Sequence, residues 1–215
     1  DLSRAGLAAH ALGQFDHANS LFRDASTLAP NDVINNTAWG ELFFEKFNQE
    51  EAGKSFRAAL ATDASWVPAN VGLARTMTES NPPVARAMVT KALAVNPHSV
   101  SALLVLAELE LNDDKQVEAS TIIQRALKVN SNSLEALSLQ ASIHYVQGRI
   151  TRFNKITKDI LTINPLFGDV YRITGKHAAR NYRFDEAVVL TRRALAIDST
   201  IPQAWSELGM HLLRI

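Results

Sequence analysis

Apolar residues recur along this chain at helical spacing, in blocks of about a dozen residues that come in pairs. The block over 202–213 shows the unit. Trp205, Leu208 and Leu212 fall at i, i+3 and i+7, one stripe of a helix, and Gly209 sits inside the stripe. A glycine within a helix costs about 1 kcal/mol relative to alanine, so Gly209 predicts the close approach of another helix. No stretch alternates apolar and polar residues with period two, and no sheet is expected.

The pairs repeat in phase. Ala25, Ala59, Ala92, Ala126 and Ala194 form one ladder, with Ile160 on the remaining rung. Ala18, Ala52, Ala85, Ala119, Phe153 and Ala187 form a second, seven residues earlier. Pro30, Ala64, Pro97, Ser131, Pro165 and Ser199 form a third, five residues later. A period of about 34 residues reads as helix, turn, helix, turn. Small residues let two helices pack closely, and Phe22, Phe56 and Ile123 fill the space toward the next pair. Gly13 and Gly148 fall between helices, and Pro30-Asn31-Asp32, Asn96-Pro97-His98-Ser99 and Asn164-Pro165 close second helices. The copies are roughly 1–32, 33–66, 67–99, 100–133, 134–167 and 168–201, with a seventh begun over 202–215.

Trp39-Gly40 and Phe43 in a first helix, Ala52, Phe56 and Ala59 in a second, and the closing proline resemble the tetratricopeptide repeat (TPR) family across essentially the whole chain. The steady step is shorter than that of HEAT or armadillo units and lacks the varying lengths of Sel1-like repeats. The resemblance implies an all-α fold: a right-handed α-α superhelix (solenoid) of about six hairpins plus one extra C-terminal helix, forming a single repeat domain over 1–215. Two copies depart from the pattern. The third is one residue short and opens its second helix with Pro82-Pro83, tolerated in a first turn. The fifth carries Phe153 and Ile160 in place of alanine and Gln140 in place of leucine, so bulk has moved between helices. An altered hairpin angle is expected over 134–167, and with it a change in the superhelical path.

Composition narrows the chemistry. The chain has 215 residues, 47% of them apolar, enough for a substantial core. Its 22 basic and 22 acidic residues leave no net charge, so nothing steers it toward nucleic acid or an anionic membrane. It has no cysteine, which removes disulfides, thiolate metal sites and a cysteine nucleophile. No apolar run is long enough for membrane insertion, and the first residues do not read as a signal peptide, so a soluble protein is expected. The histidines, His10, His17, His98, His144, His177 and His211, do not form the His-Glu-x-x-His spacing of a zinc site. Gly175-Lys176-His177 lacks the glycine spacing and the Ser or Thr of a phosphate loop. Asn35-Asn36-Thr37 matches a glycosylation acceptor pattern. No catalytic residue, cofactor or metal is expected.

The remaining signal is charge sorted by face. In the family, first helices line a concave groove. The resemblance places Glu41, Glu45, Arg75, Glu79 and Glu108 there in copies two to four, and Arg172, Lys176, Arg180 and Arg214 in copies six and seven. Arg172, Lys176 and Arg180 step by four and share one helix face. A less charged patch separates the two groups: Leu104, Leu111, Ser138, Ser142 and Tyr145. The groove is expected to be mainly acidic toward its N-terminal half and basic toward its C-terminal end. Two specialised family grooves are absent: the lysine- and asparagine-bearing clamp for carboxyl termini, and the asparagine ladder, whose places hold Arg4, Ala38, Gly72, Val105, Leu139, Ile173 and Glu207.

The expected function is a non-catalytic scaffold binding a protein or peptide segment in the groove, its acidic part on Arg172, Lys176 and Arg180. The alternative is a regulatory or substrate-positioning module of a larger enzyme. The apolar helix over 202–215 predicts self-association, and the abrupt pattern at both ends predicts a piece of a longer repeat protein.

Overall fold

The computed structural model describes all 215 residues. Thirteen α-helices follow one another: α1 (Leu2–Ala11), α2 (Phe15–Leu28), α3 (Val33–Glu45), α4 (Gln49–Thr62), α5 (Val67–Met77), α6 (Pro82–Val95), α7 (Val100–Asn112), α8 (Gln116–Val129), α9 (Leu134–Val146), α10 (Ile150–Ile163), α11 (Asp169–Arg180), α12 (Phe184–Ile197) and α13 (Pro202–Leu212). No strand forms. The chain divides into two compact units, Asp1–Leu109 and Glu110–Ile215.

Side chains start many of the helices. Asp1, Asp32, Asn48, Asn81 and Ser133 accept hydrogen bonds from otherwise unpartnered N–H groups in the first turns of α1, α3, α4, α6 and α9. Pro82 and Pro83 sit in the first turn of α6, where a missing N–H costs nothing. The turns between hairpins carry a ladder of their own. Asp63, Asn96, Asn130, Asn164 and Asp198 each accept a bond from the N–H two residues on, at 2.8 to 3.0 Å. These side chains stop one helix and aim the next. Within hairpins, Gly13, Phe47, Asp114, Gly148 and Tyr182 recur at equivalent places with φ between 59° and 72°. Three of the five are not glycine.

In the first unit the alanine ladders are buried to the last residue, and aromatic rings fill what they leave. Phe56 is fully buried between Gly40 of α3 and Gly72 of α5, and a Cβ at either glycine would overlap its ring. Phe22 meets Gly6 in the same way. Val71, Val89, Val105 and Leu109 continue this core.

The second unit departs from the pattern where the sequence does. Phe153 and Ile160 are buried and pack against Tyr171 and Val170 of α11, with the Phe153 and Tyr171 rings 6.3 Å apart. These large side chains hold the α10 backbone away, so α10 and α11 barely approach each other. In compensation, α11 lies directly on α9, far more closely than α1 lies on α3 or α3 on α5. The contact of the hairpin over 134–167 with the next is therefore altered, through the separation of α10 from α11. α13 differs from expectation. Ala204 and His211 form its buried stripe, whereas Trp205 is 56% exposed and Gly209 has nothing within contact range. The inward stripe is rotated from the one that Trp205 and Leu212 suggested. No helix is long and apolar enough to cross a membrane.

Candidate functional site

The first helices of the first unit carry the acidic positions. Glu41 of α3 and Arg75 of α5 occupy equivalent places one repeat apart and pair at 2.7 Å. The Arg75 guanidinium also lies 4.0 Å from the centroid of the Phe44 ring. Glu45, the last residue of α3, meets the imidazole of His10 at 2.8 Å. Glu108 is half-buried on α7, while Glu79 lies in the turn beyond the end of α5 rather than on a helix face. Of the carboxylates expected on this face, Glu41 is thus paired with a cation one repeat away and Glu45 is engaged by His10.

In the second unit, Arg172 bonds to Asp169 one turn earlier on α11 and reaches Glu207 of α13 at 3.0 Å. Glu207 is mostly buried, and that burial raises its carboxyl pKa, with Arg172 and Lys176 acting in the opposite direction. Lys176 is half-buried, and Arg180 is exposed at the end of α11. Arg214 is exposed in the turn after α13. Along the α11 face, positive charge is therefore balanced at one end and open to water at the Arg180 end.

Tyr145 belongs to a different cluster. Its hydroxyl donates to Glu186 at 2.5 Å, its ring packs edge-on against Phe153, and the Arg183 guanidinium sits 5.0 Å from the ring centroid. Burial and the Glu186 carboxylate push the phenol up to about 12. Arg183, bonded through two nitrogens, holds Glu186 below the usual carboxylate range. This network ties α9 to the start of α12 and leaves the Tyr145 hydroxyl committed.

Ser138 and Ser142, expected on a less charged stretch of groove, are fully buried because α11 covers that part of α9. Ser142 Oγ lies 2.8 Å from the carbonyl of Leu139 and 2.6 Å from His177 Nδ1. A hydroxyl donating to the carbonyl and accepting from Nδ1–H satisfies both groups. Burial, reinforced by Lys176, Arg180 and Arg172, holds the His177 imidazole down to about 3. So weak a base does not activate a serine at neutral pH, and the pair is a strut between α9 and α11. A cavity of about 20 Å³ beside it is also lined by Asp114, Gln116 and Asn181. The sequence offered no signal for this pairing beyond two polar residues one repeat apart.

No three His, Asp or Glu side chains gather as metal ligands. Asn35 is fully buried, and its amide donates to the Phe22 carbonyl, so the glycosylation pattern marks an inaccessible residue.

Thirteen helices in hairpins, with small residues at the crossings, define a helical-repeat fold, and solved structures share it. The chain superposes on a chain of the hetero-tetramer Cut9-Hcn1 of the APC/C with a TM-score of 0.75 at 14% identity, over 98% of this chain and 42% of that one. A tetratricopeptide repeat protein from Parabacteroides merdae ATCC 43184 gives 0.71 at 17% identity, over 98% and 83% of the two chains. PilF of Pseudomonas aeruginosa gives 0.65 at 15% identity, over 100% and 96%. The chain thus spans less than half the length of the first of these. No protein-family model matches the sequence, and comparison with curated proteins finds no match. The chain therefore has the fold of the tetratricopeptide-repeat proteins.

Proposed function

We propose that this chain is a non-catalytic interaction scaffold whose first helices receive an extended protein or peptide segment. The observation that carries the reading is the α11 face. Arg172, Lys176 and Arg180 step along it, Asp169 and Glu207 hold the Arg172 end, and Arg180 stands in water with no carboxylate partner. An acidic segment aligned on α11 gains attraction at Arg180 without breaking an existing pair. The neighbour in the Cut9-Hcn1 hetero-tetramer is itself part of a multi-protein assembly, in keeping with this role.

A peptide array on the intact chain tests the proposal. Acidic segments bind in preference to neutral and basic ones, more weakly as salt rises, and Arg180→Glu lowers their retention roughly tenfold, about 1.4 kcal/mol. Arg180 is the informative site because Arg172→Glu also breaks contacts that position α13. An array without acidic preference, or an unchanged Arg180→Glu profile, refutes the reading.

The apolar outer face of α13 supports a second property, association between copies. Trp205, Met210, Leu213 and Ile215 are all exposed there.

A further inference from the structure

The side of the second unit built from second helices holds a recess of about 540 Å³, and no acidic residue lines it. It lies between α10 and α12 with Tyr171 of α11 at its wall, where Phe153 and Ile160 keep α10 away from α11. Two cations face it. Lys158 of α10 pairs with no carboxylate, although Asp159 is its neighbour in the chain. Arg193 of α12 has its guanidinium 4.3 Å from the Tyr171 ring centroid, a stacking contact that orients the group while leaving its N–H donors unspent. Thr157 also lines the recess. It is only 4% exposed, and its buried hydroxyl has no hydrogen-bond partner. Closed off from water, as the equivalent hydroxyl of Thr191 one repeat on also is, it is not offered to a ligand. Asn154 adds an exposed amide. Thr162 does not contribute, because its hydroxyl is bonded to the Lys158 carbonyl.

We infer that this recess binds a phosphate monoester, its dianionic group between Lys158 and Arg193 and its body toward Asn154. Planar guanidinium and ammonium donors suit a tetrahedral oxyanion. The recess exceeds what a bare phosphate fills and falls within the range of small-molecule sites. The site lies apart from the α11 charged face and does not depend on the scaffold reading.

Titration of the intact chain with glucose 6-phosphate, glucose, inorganic phosphate and a phosphoserine peptide, followed by amide resonances, tests it. Glucose 6-phosphate or the phosphoserine peptide, whichever carries the better-fitting body, gives saturable shifts confined to α10, α12 and the Tyr171 region. Inorganic phosphate binds the same place more weakly, and glucose does not bind. Lys158→Gln and Arg193→Gln each weaken binding at least about tenfold. Arg192→Gln, exposed on the same helix but outside the recess, leaves it unchanged. Absence of saturable shifts with every phosphate probe overturns the proposal. Shifts that persist in Arg193→Gln, or equal affinity for glucose, overturn it as well.

Discussion

His177 shows how a single buried side chain ties stability to pH. Its ordinary pKa is 6.5, and burial beside Lys176, Arg180 and Arg172 lowers it to about 3 in the folded chain. Between those values the unfolded chain holds a proton that the native one excludes. Stability is therefore fully present above about pH 6.5 and declines as pH falls toward 3, by about 2 kcal/mol at pH 5. His144 and His211, also lowered by burial, act with the same sign. Glu207 acts with the opposite sign, since its raised pKa favours the protonated native state just above the ordinary carboxylate range. The expected outcome is a thermal midpoint that drops between neutrality and about pH 5, with a shallower slope in His177→Gln. Equal slopes in the two proteins would show that His177 is not the group responsible. None of this was legible at position 177 itself. The sequence marks a histidine beside a helix-packing glycine, but only the direct seating of α11 on α9 puts Ser142 against its ring.

At the scale of the helix, the glycines separate into those that permit contact and one that does not. A Cβ at Gly168 would lie 2.6 Å from the backbone carbonyl oxygen of Ala194, which no rotamer change relieves. Gly209 meets nothing and lies inside α13. Gly168→Ala should therefore cost about 1–3 kcal/mol, while Gly209→Ala should stabilise by up to about 1 kcal/mol through helix propensity alone. Denaturant midpoints of the two variants check this, and equal effects would mean that α11 and α12 are less closely apposed than described. Reading Gly209 from sequence suggested the reverse, because a glycine inside an apolar stripe looks the same whether or not a helix crosses it. The exchange of bulk in the fifth copy was better determined. Volume at Phe153 and Ile160 cannot be hidden at an alanine-sized crossing, so the helices must part.

At the scale of the whole molecule, every substantial helix–helix contact within each unit joins elements no more than two places apart in the chain. Trp205 and Met210 of α13, and Leu213 and Ile215 just beyond it, are exposed to solvent while Ala204 and His211 face inward. Their burial between copies would supply about 1.5–3 kcal/mol per large side chain, enough to offset part of the cost of association. Light scattering over a concentration series should show growth in mean mass, reduced by Leu213→Glu and by Trp205→Glu. A mass that stays at that of one chain throughout would exclude self-association through this face.

The sequence by itself determined the repeat. Helix positions, alanine crossings and turn residues follow from the size and polarity of single side chains, and each rung of a ladder repeats the same local requirement. Of the turn ladder, the sequence marked Asn96 and Asn164, while Asp63, Asn130 and Asp198, which act in the same way on an N–H two residues away, emerged from the structure. What the tertiary structure decided is which charges remain available. Glu41 meets Arg75, His10 meets Glu45 and Arg172 meets Glu207 across about one repeat, and Arg180 meets no carboxylate. Those pairings depend on the rotation and separation of successive hairpins. Packed side-chain volume sets that rotation, and a charge pattern along one helix does not encode it.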